Sequence, residues 1–169
     1  GPNGAGKTTL FHLVSGSLKP TAGRVLLEGE DITGLDRQGT VRRGIGRACQ
    51  MANLFPSFKV SESHQKLLDI ALALALDPKV LLLDEPTAGM GPEERWRMIE
   101  RVHALWQARR MTLVFIEHDM DIVFKIAQTV RVLRYGAVLA QGTPEEVRRD
   151  PAVVEAYLGA EHALEAAAP

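Results

Sequence analysis

The sequence predicts an α/β sandwich on a mainly parallel central sheet, and three stretches predict it. Gly1 to Thr9 reads GPNGAGKTT, which fits the phosphate-binding loop pattern G-x-x-x-x-G-K-[ST] with Gly1, Gly6, Lys7 and Thr8 in the required places. Val80 to Leu83 is a continuous apolar run that delivers Asp84 and Glu85, and Thr112 to Ile116 is a second run that delivers Glu117 and His118. Short apolar runs of this kind fit strands buried on both faces, and their alternation with helical segments fits a parallel sheet.

The elements follow in order. Lys7 to about Ser15 is helical, with Leu10, Phe11, Leu13 and Val14 on its apolar face and Gly16 placed to end it. Arg24 to Glu28 reads as a strand, Gly29 and Glu30 as a turn, and Asp31-Ile32 as the start of the return. Asp36 suits the cap of a short helix through Arg43, and Gly44 to Cys49 is a short strand leading to Gln50. Lys66 to Leu76 is helical and stops at Asp77-Pro78. Pro92 suits the first position of the next helix, whose inner stripe is Trp96, Ile99, Val102, Leu105 and Trp106. Both tryptophans are read as core, not as platforms for stacking bases. Ile122 to Ala127 is a helix, and Val130 to Leu133 and Val138 to Ala140 flank a hairpin turn at Tyr135-Gly136. Thr143-Pro-Glu-Glu146 is a capping box for a last helical region, and the tail from Glu161 is Ala-rich and expected to fray.

Composition narrows the function classes. A chain of 169 residues with 46% hydrophobic and 24% charged residues suits one core-forming domain, at most with a small appendage. A net charge of −1 gives no global basic field for nucleic acid. One cysteine, Cys49, excludes an internal disulfide framework and suits a reducing compartment. No run is long enough to span a bilayer, and no signal peptide is recognised. A phosphate loop normally hangs from a strand, and nothing precedes Gly1, so an N-terminal portion is expected to be missing.

The chemistry sits at three places. Glycines let backbone N–H groups curl around phosphates, Lys7 supplies a point charge, Thr8 offers its hydroxyl to Mg²⁺, and the helix dipole points at the same anion. At the end of the Leu-rich strand, Asp84 is placed to face Mg²⁺ and Glu85 to polarise an attacking water as general base. The bland alternative is a solvated acidic turn. His118, at the end of the second buried strand, is a candidate γ-phosphate sensor, and Gln50 carries an amide that can reach Mg²⁺ or the attacking water. His12, His64, His103 and His162 show no catalytic or metal pattern and read as surface or satisfied residues.

The order GPNGAGKTT, GIGRACQ, LLLDEPTAGM and VFIEHDM resembles the ATP-binding subunit of ABC transporters. LFHLVSGSLKPTAGRVLLEGEDITGL, LFPSFKVSE and RYGAVLAQGTPEEVRRDPAVVEAYLG are similar to the ATPases of branched-chain amino-acid importers, with those serving urea and short amides about as close. The resemblance runs nearly to Gly159. It implies a P-loop NTPase (ABC ATPase) sandwich over residues 1–159, with 160–169 as a tail. It implies ATP and Mg²⁺ as cofactors, Asn3, Gly4, Ala5, Gly6, Lys7, Thr8 and Thr9 against the nucleotide, and Thr8, Gln50 and Asp84 around the metal. Gln50 would be the Q-loop glutamine, Asp84 the Walker B aspartate, Glu85 the general base, His118 the switch histidine, and Ala88 to Gly91 the D-loop, with Gly91 replacing the usual Asp or Asn.

Three departures accompany the resemblance. The upstream strand and its adenine-stacking aromatic are absent. The signature L-S-G-G-Q is not intact, and Ser63-His64-Gln65-Lys66 looks like a remnant of the variant L-S-H-G-x-Q-K. Gln50 and Asp84 are several dozen residues too close, so the helical subdomain that touches the permease is largely missing, with a junction near 62–65 at Glu62–Ser63. An incomplete sequence and a true internal deletion both explain this, and the well-kept flanking motifs favour the first. The implied function is ATP hydrolysis powering solute import. The implied partners are a second ABC ATPase subunit, membrane permease subunits and, indirectly, an extracytoplasmic solute-binding protein, with no nucleic acid. The implied location is cytoplasmic, peripheral on the inner face of the membrane. Two alternatives stay open: a nucleotide-binding module without catalysis, and a soluble ABC ATPase acting on nucleic acid.

Overall fold

The computed structural model describes residues 1–48, 62–109 and 111–157, which divide into two compact units: Thr8–His118, and Gly1–Lys7 together with Asp119 onward. The larger unit holds α1 (Lys7–Val14, its first residue belonging to the other unit), β1 (Leu26–Leu27), β2 (Glu30–Asp31), α2 (Arg37–Arg42), β3 (Ile45–Ala48), α3 (Glu62–Ala75), β4 (Val80–Asp84), α4 (Pro92–Ala108) and β5 (Thr112–Ile116). The smaller holds the phosphate loop, α5 (Met120–Ile126), β6 (Val130–Arg134), β7 (Ala137–Gly142) and α6 (Pro144–Arg149).

The larger unit is built on a parallel sheet in the order β3-β4-β5, with Gly46 opposite Leu81 and Leu81 opposite Leu113. β4 is central, which is why its apolar run is continuous. Leu81 and Leu83 pack on one face with Ile70 and Leu74 of α3 and Met98 and Val102 of α4. Leu82 packs on the opposite face with Phe11 of α1, Ile32, Ile45 and Ile116. All three leucines are buried, and each such burial contributes about 1.5–3 kcal/mol. Strand alternation then sets Asp84 on the face of Leu82, toward α1.

Local signals account for the helix ends. Asp36 caps α2 by accepting from the Gly39 N–H, and Pro92 opens α4. Gly16, at φ +71, ends α1 where a Cβ would lie 2.5 Å from the Leu35 carbonyl oxygen, so only glycine serves there. In the smaller unit the Thr143–Glu146 capping box forms as read, with Thr143 Oγ1 accepting from the Glu146 N–H and Glu146 accepting from the Thr143 N–H.

Five expectations are corrected. The strand read over Arg24 to Glu28 is only Leu26–Leu27, and its turn is Glu28-Gly29, not Gly29-Glu30. The register pairs Leu27 with Glu30, and both loop residues have positive φ, the geometry that matches strand twist in a two-residue hairpin. Tyr135-Gly136, at φ +50 and +80, makes the same kind of turn where it was expected. β5 is not buried on both faces: among the described residues it ends the β3-β4-β5 sheet, and Thr112 and Val114 are exposed. α3 begins at Glu62, so Ser63 to Gln65 lie in its first turn. The inner stripe of α4 is Met98, Ile99 and Val102, with the tryptophans half-buried and Leu105 exposed. Cys49, Gln50 and the tail from residue 158 lie outside the described residues.

Candidate functional site

The phosphate loop is held mainly by backbone, with one side chain, Lys7, folded back on it. Gly136, in the β6–β7 turn, donates its N–H to Ala5 O at 3.0 Å, and Ala5 is buried. A Cβ on Gly1 would stand 2.0 Å from the Leu133 carbonyl oxygen of β6, so the loop and the strand approach more closely than any side chain permits. Lys7 Nζ donates to Gly1 O at 2.6 Å and to Pro2 O at 2.9 Å. Asn3 and Gly4 are exposed, Gly6 is half-buried, and Thr8 and Thr9 are exposed on the first turn of α1.

The acidic edge, in the larger unit, is held by strand pairing and by charged side chains. Asp84 Oδ2 accepts from Arg47 Nη2 at 3.2 Å, with the two side chains only 19% and 11% exposed. Glu85 sits at φ +50, a strained conformation for a residue with a Cβ, with its N–H bonded to Ile116 O of β5 at 3.0 Å. Its Oε1 lies 2.7 Å from His118 Nε2, and with the carboxylate ionised the imidazole is the donor. Both side chains stay substantially exposed, so solvent reaches the pair. A cavity of about 590 Å³ lies within this unit, lined by Thr8, Asp84 and Glu85 together with His12, Arg47 and Lys66.

The structure therefore gathers Thr8, Asp84 and Glu85 around one cavity and pairs Glu85 with His118, which α1, β4 and β5 deliver from three separate stretches of chain. The Thr8 hydroxyl and the Asp84 carboxylate are hard oxygen donors, and one or two such groups plus substrate phosphates are what Mg²⁺ ordinarily takes. Among the described residues no cluster of three or more His, Cys, Asp or Glu is arranged for a metal ion. A carboxylate beside an imidazole at a wet strand edge can accept a proton from water while the imidazole fixes its direction. No described helix is long and apolar enough to cross a membrane.

Three further residues emerge that the sequence reading did not assign. Glu117 Oε1 accepts from both the N–H (3.0 Å) and the hydroxyl (2.7 Å) of Thr87, and Oε2 accepts from the His118 N–H at 3.2 Å, so this carboxylate ties the loop after Glu85 to the base of His118. Its one signal was its place beside His118 at a strand end. Lys66, buried in α3, donates to the carbonyls of Ala88 and Glu85. Arg47 holds Asp84. His12, read as surface or satisfied, lines the cavity.

Comparison with known proteins converges on one family. The family described as "ABC transporter" matches residues 1–66, and that described as "Branched-chain amino acid ATP-binding cassette transporter" matches residues 137–163. The chain is 32% identical to the high-affinity branched-chain amino acid transport ATP-binding protein LivG of Escherichia coli over 216 aligned positions, covering 94% of this chain and 85% of that one. BraF of Pseudomonas aeruginosa, of the same description, gives the same identity and coverage. The choline transport ATP-binding protein OpuBA of Bacillus subtilis is 27% identical over all of this chain and 56% of its own length. Among solved structures, a nucleotide-free ATP-binding cassette from an ABC transporter superposes with TM-score 0.83 at 26% identity, over 92% of this chain and 85% of that one. An ADP conformation of such a cassette gives 0.82 at 27%, over 94% and 85%.

Proposed function

Since this chain belongs to the ABC transporter ATP-binding family, we propose that it is the ATP-binding and ATP-hydrolysing subunit of an importer for branched-chain amino acids or for urea and short amides. The observation that carries the reading is the 2.7 Å contact of Glu85 with His118 beside the cavity that Thr8 and Asp84 line.

In this reading Gly1 to Lys7 and the start of α1 bind the nucleotide phosphates through backbone N–H groups and the Lys7 ammonium. Thr8 and Asp84, with Gln50, would hold Mg²⁺, which when bound would neutralise charge on the transferring phosphoryl group. Glu85 accepts the proton of the attacking water, and His118 holds Glu85 in line and reads the γ-phosphate. Little covalent chemistry is asked of the protein, since positioning and charge supply most of the acceleration. The subunit works at the inner face of the membrane with a second ATPase subunit and permease subunits, supplied by an extracytoplasmic solute-binding protein.

The test is Glu85→Gln, which keeps size and hydrogen bonding but removes the proton acceptor. Binding of a fluorescent ATP analogue should persist while turnover drops by about a hundredfold or more. Turnover near the parent's would remove Glu85 as the base.

A second reading has its own support. The aligned stretch with LivG, 216 positions, is longer than this 169-residue chain, so the relative carries residues that this chain lacks. Ser63 to Lys66 stand in the first turns of α3 as an incomplete signature, with Lys66 turned onto the chain's own Glu85 and Ala88 carbonyls. We infer that a chain in this form binds nucleotide without completing a composite catalytic site. Hydrolysis by the purified chain alone would count against that, and binding without turnover in the presence of permease would support it.

A further inference from the structure

We propose that Arg47 is a built-in rival of the metal ion for the Asp84 carboxylate, and so sets how readily Mg²⁺ enters the site. The inference rests on reading Asp84 as a metal ligand. Arg47 stands on β3 opposite Leu82 of β4, two residues before Asp84, and its Nη2 reaches Asp84 Oδ2 at 3.2 Å. Nη1 reaches Ser15 Oγ at 3.3 Å, just beyond the end of α1. Both bonds are long for a charged donor. Nε is buried and has no hydrogen-bond partner among the described residues.

A guanidinium offers five N–H donors, and a buried one is normally saturated. Arg47 is mostly buried yet poorly satisfied, so its seat is not the tight fork of a structural ion pair. What it does supply is charge. It neutralises Asp84 in a cavity shared with Thr8 and Glu85, where a lone carboxylate would be costly. A divalent ion brought to the same carboxylate meets that fixed positive charge at close range, in surroundings that screen less than water does. Metal entry therefore requires the guanidinium to give way, and the orphaned Nε marks a side chain with little to lose by moving. Removing the charge while keeping the apolar stem should free Asp84 for metal.

The experiment titrates Mn²⁺ alone, without nucleotide, and reads free metal by electron paramagnetic resonance. Arg47→Met should lower the Mn²⁺ dissociation constant by about fivefold or more, an estimate from the close-range repulsion it removes. Arg47→Lys, which keeps the charge, should stay within about twofold of the parent, and the gain should vanish in Arg47→Met with Asp84→Asn. Unchanged or weaker Mn²⁺ binding in Arg47→Met would overturn the proposal and make Arg47 a residue that orients Asp84. Arg47→Gln serves the same purpose if the methionine variant does not fold. Fluorescent ATP binding without metal is measured in parallel. Its absence from the parent protein would sink the nucleotide-site reading, whereas the proposal stands or falls on Mn²⁺ affinity.

Discussion

The phosphate loop and the acidic edge are fixed by different means. The loop is gripped largely by main chain, with the Gly136 N–H on Ala5 O and the Leu133 carbonyl against Gly1, and by one side chain, Lys7, whose ammonium folds back onto the Gly1 and Pro2 carbonyls. The edge is gripped by charged side chains: Arg47 on Asp84, His118 on Glu85, Glu117 on Thr87. Backbone contacts cannot be rearranged by rotamer changes, which favours a single loop shape with its N–H donors turned to an anion. Side-chain contacts can be exchanged, so the edge can change partners as ligands arrive. A binding surface benefits from the first property and a reacting one from the second.

The contrast breaks first at Gly1. Gly1→Ala forces a methyl against the Leu133 carbonyl oxygen, and the obstacle is backbone that cannot swing aside. Fluorescent ATP binding should weaken about a hundredfold, equivalent to about 2.7 kcal/mol. The fluorescence of Trp96 and Trp106 in the folded protein should match the parent's, which separates lost binding from lost folding. Retained affinity would mean that the loop is not pinned by this approach.

At the acidic edge the next largest effect is expected from Glu117→Gln. The carboxylate accepts from Thr87 on one oxygen and from the His118 N–H on the other. An amide offers one acceptor and one donor, so one of those N–H groups would meet another donor. Turnover should fall about tenfold through misplacement of Glu85 and His118. ATP affinity should hold, which separates a positioning role from a binding one. Thr87→Val, which removes only the hydroxyl contact, should give a smaller loss.

These two cases also show what sequence can and cannot convey. Asp84, Glu85 and His118 were readable because each is a polar residue placed by an apolar run at the end of a strand, and that pattern is local. The Tyr135-Gly136 turn was readable because apolar runs bracket it. Glu28-Gly29 was missed by one residue because Val25-Leu26-Leu27 gives no alternation to fix the register. The Arg47–Asp84 and Glu117–Thr87 pairs join residues 37 and 30 positions apart, through the pairing of β3, β4 and β5. No local pattern encodes such a meeting, because it depends on which strands become neighbours and in what register. The burial of β5 was overestimated for the same reason: its composition suits an interior strand, while its place at the edge of the β3-β4-β5 sheet is a property of topology.

The smallest expected effect sharpens the comparison from the other side. The unit of the phosphate loop has side-chain devices of its own, among them the capping box of α6, in which hydrogen bonds from the Thr143 N–H and hydroxyl hold the Glu146 carboxyl below the usual glutamate range. A lowered folded value means that the carboxylate's contribution is fully present above the ordinary glutamate range and is lost as the pH falls through the lowered value. Thr143→Ala should cost about 1 kcal/mol of stability at neutral pH, a typical N-cap loss, and should flatten the acid limb of the unfolding curve. Because the loop is fixed by the main chain of β6 and its turn and by Lys7, and not by the cap of α6, ATP affinity in this variant should match the parent. A large loss of affinity from so small a change in α6 would show that the loop depends on side-chain contacts well away from it, and the distinction between the two regions would fail.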